Sequence, residues 1–280
     1  MRDLTKFGIN LLGRLMASNI TLVAAGVAFY AMLAVFPGIS ATIAIWSAFS
    51  DPAVIHQYLA VAKEFIPQEA YGLLNEQIQS WLIGPRATIG FGTLLSALVT
   101  LLSARAGVAA LVLGLNVIHD TKPRNTIWSF VLGYIMTVSL VGVMLLAMAT
   151  IVIVPIAINF LPFHEYTSIL LSGLPWAAML LLMLTALGIL YRYGPNIKAG
   201  RRDPIVSLGA VLATAVWGLS SLALTYYLAN FGSYNKVYGS IGAVIALMFW
   251  LYISALSVLL GAALNAELNA HRTKARQDDQ

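Results

Sequence analysis

The chain contains no cysteine, so disulfide staples, thiolate metal sites and thiol nucleophiles are excluded at the outset. Charge is almost as scarce. Only 10% of the 280 residues are Asp, Glu, Lys or Arg, against roughly 25% in a soluble domain. Acids are the rarer sign, 11 against 16 Lys and Arg. Those near the apolar runs are few: Asp120, Asp203 and Glu267. The four histidines, His56, His119, His164 and His271, fall on different sides of any membrane topology drawn below. Hydrolytic chemistry needs titratable groups that converge. No HExxH, Gly-rich phosphate loop or nucleophile elbow occurs. These absences predict a non-enzyme, without metal or cofactor.

Apolar sequence takes up the space. The chain is 60% hydrophobic with mean hydropathy +0.84, and several uncharged runs reach the ~20 residues that cross a bilayer as a helix. Short amphipathic segments of the outer-membrane barrel type are missing. The fold class expected is all-α, a polytopic membrane protein with six transmembrane helices at roughly 20–47, 88–115, 127–154, 169–191, 204–229 and 240–266. Residues 1–19 read as a cytoplasmic amphipathic lead-in (Leu4, Phe7, Leu11, Leu15), and 267–280 as a cytoplasmic tail. Residues 51–87 read as two short amphipathic helices forming an extracytoplasmic cap, because some 35 residues cannot build their own core. The whole chain, 1–280, reads as one membrane domain without an internal repeat.

The basic residues set the orientation. Twelve of the sixteen Lys and Arg fall on one side, Lys63, Arg86 and Lys236 fall on the other, and Arg105 lies within a span. The positive-inside rule then places both termini in the cytoplasm of a bacterial inner membrane. It also accounts for the net charge of +5 without a nucleic-acid partner. Membrane lipids are the expected partners, with an amphiphilic or anionic molecule as substrate. No oligomeric state is implied.

Five features interrupt the apolar pattern. In the first span, Tyr30 precedes Pro37-Gly38, and proline removes a backbone donor and crowds the carbonyl four residues back. A kink or interruption is expected there. Arg105 stands well inside the second span, where a guanidinium costs about 2.5–3.5 kcal/mol on insertion scales. Asn116 follows eleven residues later on about the same face. The fifth span carries Ser207, Thr214, Ser221 and Thr225 on one side, beside Trp217. The sixth span stacks Trp250, Ser254, Ser257, Gly261 and Asn265 at steps of three and four. Such stripes serve either close helix packing or a water-filled path. Asn265 and Asn269 are placed to cap a helix or order cytoplasmic loops. The turn Tyr191-Arg192-Tyr193-Gly194-Pro195-Asn196 closes the fourth span beside Lys198, Arg201 and Arg202, a setting suited to anionic lipid.

Several of these segments resemble the YihY/virulence factor BrkB family of membrane proteins, once labelled ribonuclease BN-like. They are Ala24 to Tyr30 through Phe36-Pro37, Ala110-Leu111 through Leu115-Asn116, and Tyr191 with Tyr193-Gly194-Pro195-Asn196. The closest runs from Tyr238-Gly239-Ser240 through Trp250-Leu251-Tyr252 to Gly261-Ala262-Ala263-Leu264-Asn265. The resemblance implies a six-helix inner-membrane protein, connected in some members with serum resistance or envelope lipid transport. Where the family pattern has a glutamate, this chain has Ala263, which removes the acid that a proton-coupled mechanism would use. The leading expectation is a transporter or flippase-like protein whose path is lined by Tyr30, Pro37, Arg105, Asn116, Trp217, Ser221, Trp250, Ser254, Ser257 and Asn265. The alternatives are a non-transporting envelope scaffold and a membrane-bound ribonuclease, the latter carried by the family label alone.

Overall fold

The computed structural model describes residues 2–49, 91–159, 167–197, 202–230 and 240–278. The expected cap at 51–87 and the tyrosine-rich run before the last helix lie outside them. Among the described residues the chain is wholly helical. The helices are α1 (Arg2–Ala17), α2 (Ile20–Phe49), α3 (Phe91–Ile118), α4 (Thr126–Asn159), α5 (Thr167–Tyr193), α6 (Leu208–Asn230) and α7 (Ser240–Asp278). Among the described residues, three segments are long and apolar enough to cross a membrane: Leu94–Ile118, Leu208–Tyr227 and Val244–His271. A fourth appears if the bent pair Phe7–Ala17 and Ile20–Val35 counts as one span. Ile127–Val143 and Ala177–Tyr193 form shorter apolar helices.

The first interruption falls elsewhere than expected. The helix α2 runs unbroken through Pro37. One missing donor in a helix of 30 residues leaves the rest of the hydrogen-bond ladder intact. The break lies at Ser18-Asn19, where Asn19 adopts φ 46° and α1 meets α2 at 51°. Asparagine tolerates this left-handed conformation better than most residues. The α4 helix likewise continues past Pro155 to Asn159.

The end of α3 is closed by a Schellman motif. Thr121 N–H donates to Asn116 C=O (2.9 Å) and Asp120 N–H to Val117 C=O (3.1 Å). Asp120 takes the left-handed position, at φ 53°, that glycine usually fills.

The chain forms two compact units. One comprises Met1–Val27, Val108–Leu219 and Ile253–Gln280; the other comprises Ala28–Gly107 and Ser220–Tyr252. In the first, Val108 and Val112 of α3 and Met136 of α4 form a core flanked by Leu132, Leu140 and Ile189. Gly114 of α3 is wedged against Val23 of α2 and Leu259 of α7, so that a Cβ there would meet Val23 Cγ1 at 2.8 Å. In the second unit, Gly38 of α2 lies close to Thr100 of α3, and the rings of Phe29 and Tyr30 meet edge to face.

Candidate functional site at the charged helix ends

The α6 helix starts where Ser207 caps it. The Ser207 hydroxyl accepts from Ala210 N–H at 3.1 Å, which satisfies one of the donors every helix N-terminus leaves open. A second donor, Gly209 N–H, is met from another helix by Asn265 Oδ1 at 2.8 Å. The Asn265 amide then donates to Ser207 Oγ (2.9 Å) and to Asp203 Oδ2 (3.1 Å). Asn269, one turn on, donates to Asp203 Oδ1 at 2.6 Å. Asp203 is 2% exposed, and burying a carboxylate is costly unless its oxygens are bonded. Here two asparagine amides do that, while Arg192 donates to the Asp203 backbone carbonyl at 3.0 Å.

Close backbone approach permits this network. Gly209 and Gly261 face each other so tightly that a Cβ on either would strike the other's carbonyl oxygen. Tyr191, fully buried, crosses the same place and donates to Val258 C=O at 2.7 Å. Ala263, at the position where the resemblance places a glutamate, is fully buried too.

A second group of bonds closes α5. Arg124 donates to the carbonyls of Gly194 (2.8 Å), Pro195 (3.0 Å) and Tyr193 (3.3 Å), putting a cation on a helix C-terminus. Asn116 Oδ1 accepts from Asn196 N–H (2.8 Å) and Thr121 Oγ1 (3.0 Å). Asn196 returns a bond to Lys122 C=O at 3.0 Å. Burial, and then the charge of Arg202, lower the affinity of Arg124 for its proton.

A third group ties down α1. Arg14 donates to Ile118 C=O (2.6 Å), pairs with Asp120 (2.9 Å) and reaches Glu267 (3.4 Å). Glu267 also faces His271 at 3.6 Å. Between these groups lies His119, with its Nε2 buried and without a hydrogen-bond partner among the described residues. Burial lowers its pKa below 6.5; the positive charge of Arg14 adds to this, and Asp203 and Asp120 oppose it.

The expected path residues fall into both units. Asn116, Trp217, Ser254, Ser257 and Asn265 belong to the first; Tyr30, Pro37, Arg105, Ser221 and Trp250 belong to the second. The stripes of α6 and α7 meet one another. Trp217 Nε1 donates to Ser254 Oγ and Trp250 Nε1 to Ser221 Oγ, each at 3.1 Å. Ser257 bonds back to Ile253 C=O on its own helix. Arg105 is half-buried in α3. Asn265 caps α6 rather than its own helix, and with Asn269 it holds the loop at Asp203. Sequence reasoning did not find the roles of Asp203, Ser207, Arg14 and Arg124. The run Asp203-Pro204-Ile205-Val206-Ser207 before an apolar stretch carried a helix-start signal. The contacts of the two arginines span sequence separations that no local pattern encodes. Among the described residues, no group of three or more His, Asp or Glu is placed to hold a metal ion.

The model of the family described as virulence factor BrkB matches residues 11–280. A ribonuclease-like protein, YfkH, of Bacillus subtilis is 27% identical over 265 residues, covering 91% of each chain. A UPF0761 membrane protein of Alteromonas mediterranea is 31% identical over 276 residues, covering 96% of this chain and 88% of the relative. No solved structure matches.

Proposed function

The chain belongs to the virulence factor BrkB family, and within it we propose a transporter or flippase-like protein of the bacterial inner membrane that moves an anionic amphiphile. Arg105 carries this reading. It stands near the middle of Leu94–Ile118, where a guanidinium is expensive to insert and commonly marks an ion or headgroup path. Tyr30, Pro37, Ser221 and Trp250, in the same compact unit, supply further candidates for the lining. A six-span arrangement with both termini cytoplasmic accords with the helix ends. The C-terminal ends of α3 and α5 are bonded to each other, the N-terminal end of α6 is bonded to the Asn265–Asn269 turn of α7, and Arg192 of α5 links the two groups through Asp203.

The test is flipping of a fluorescent phosphatidylglycerol in reconstituted vesicles. Wild type is expected to flip it. Arg105→Gln is expected to lose at least about tenfold in rate, the loss of one charge-assisted contact of about 1.4 kcal/mol or more, with melting unchanged. Normal flipping by folded Arg105→Gln would remove the reading. A second reading, a non-transporting envelope scaffold, is favoured by the two Trp–Ser bonds that join α6 to α7. Wild type without any flipping activity would select it. The ribonuclease-like name belongs to the B. subtilis relative, and the proposal assigns this chain no catalytic step.

A further inference from the structure

A cleft of about 200 Å³ opens between α3 and α4 beside the arginine-capped end of α5. Ala109, Leu113, Pro123 and Ser129 at its mouth are exposed, whereas Val112, Asn116 and Gly133 at its base are buried. The base carries an unspent donor. The backbone N–H of Asn196 can only donate, so the Asn116 atom it meets at 2.8 Å is the oxygen. The Asn116 amide nitrogen therefore projects its hydrogens elsewhere, and it donates to no group among the described residues.

The rim is positive. Lys122 is exposed and Arg124 follows Pro123 directly. The carbonyls Arg124 holds belong to the turn where Arg192 and Arg202 both lie over the Tyr193 ring, 5.7 and 5.6 Å from its centroid. Beyond its place over the Tyr193 ring, Arg202 has no hydrogen bond or ion pair among the described residues, and its Nε is buried without a partner. Asp203, next in the chain, has both carboxylate oxygens occupied by asparagine amides. An apolar mouth, a donor at its base and a cluster of guanidiniums on the neighbouring turn complement one amphiphile.

We propose that this cleft seats an anionic phospholipid of the cytoplasmic leaflet. Its phosphate lies on Arg202, Arg192 and Arg124, an ester oxygen accepts from Asn116, and the upper part of one chain lies along Val112 and Leu113. Basic pockets between helices at the cytoplasmic surface bind such headgroups. The seat does not call on Arg105 and stands whether or not the protein transports.

The experiment is native mass spectrometry of the detergent-solubilised chain titrated with phosphatidylglycerol, phosphatidylcholine or inorganic phosphate, with melting followed in parallel. Phosphatidylglycerol is expected to bind at least about fivefold tighter than phosphatidylcholine, and Arg202→Gln to remove about fivefold of its affinity, the worth of one basic residue at the surface. Leu113→Trp, at an exposed mouth position, is expected to fill the cleft and weaken both lipids without lowering the melting temperature. Equal affinity for the two lipids overturns the proposal, as does unchanged phosphatidylglycerol binding in folded Arg202→Gln. If inorganic phosphate competes fully and Leu113→Trp has no effect, the site is an ion site and the lipid assignment fails.

Discussion

Asp203 is the residue on which the polar network at the helix ends turns, because a buried carboxylate must be answered by donors. Asn265 answers it and simultaneously covers Gly209 N–H. Asn265→Ala orphans both, at about 2–4 kcal/mol. Asp203→Ala costs a similar amount. The double variant should lose less than the sum of the two, and a thermal-melting cycle that came out additive would mean the side chains act separately. His119 has the opposite problem, a ring kept neutral by burial. Its folded pKa lies below 6.5, so the unfolded state takes up the proton first on acidification. Its contribution is intact above about pH 6.5 and is lost as pH falls through the folded value. Melting temperature should decline on that side, and His119→Gln should flatten the decline. An identical acid limb in that variant would assign the decline to the carboxylates instead.

Among the elements, α6 and α7 are joined by absence of side chain as much as by contact. Their axes approach where Gly209 faces Gly261, and the obstructing atoms are backbone carbonyls that cannot rotate aside. Gly261→Ala should therefore cost about 1–3 kcal/mol or more. Gly26→Ala in α2 meets nothing within 4 Å and should stay within about 1 kcal/mol of wild type, on the stabilising side, because alanine is the better helix former. Comparing the two melting curves separates a packing glycine from a tolerated one. Proline gave the poorer guide to helix breaks. A sequence reading weighs Pro37 heavily because it lacks a donor, yet a long helix absorbs that loss. Asn19, which only permits a left-handed turn, is where the chain bends.

For the molecule as a whole, hydropathy and the distribution of Lys and Arg made the helical class and the shared charged end legible. An apolar run of bilayer length is a property of each helix alone, so α3, α6 and α7 could be read without their neighbours. The site was legible in part. Asn116 and Asn265 stood out as polar residues on apolar helices. Their partners Asn196 and Asp203 lie 80 and 62 residues away, in loops whose sequence carries no record of what they touch. The stripes of α6 and α7 were legible as stripes, but their choice between packing and water depended on the partner face. There Trp217 and Trp250 have taken the serine hydroxyls.

The Arg14–Glu267 contact joins residues 253 positions apart. A ribosome emits Arg14 of α1 253 residues before the Glu267 turn of α7. Until α7 is made, Arg14 therefore has only the end of α3 to hold, through Ile118 C=O and Asp120. The final helix, on arrival, supplies the nearly buried carboxylate that completes the attachment. A chain halted before α7 would leave α1 short of that anchor.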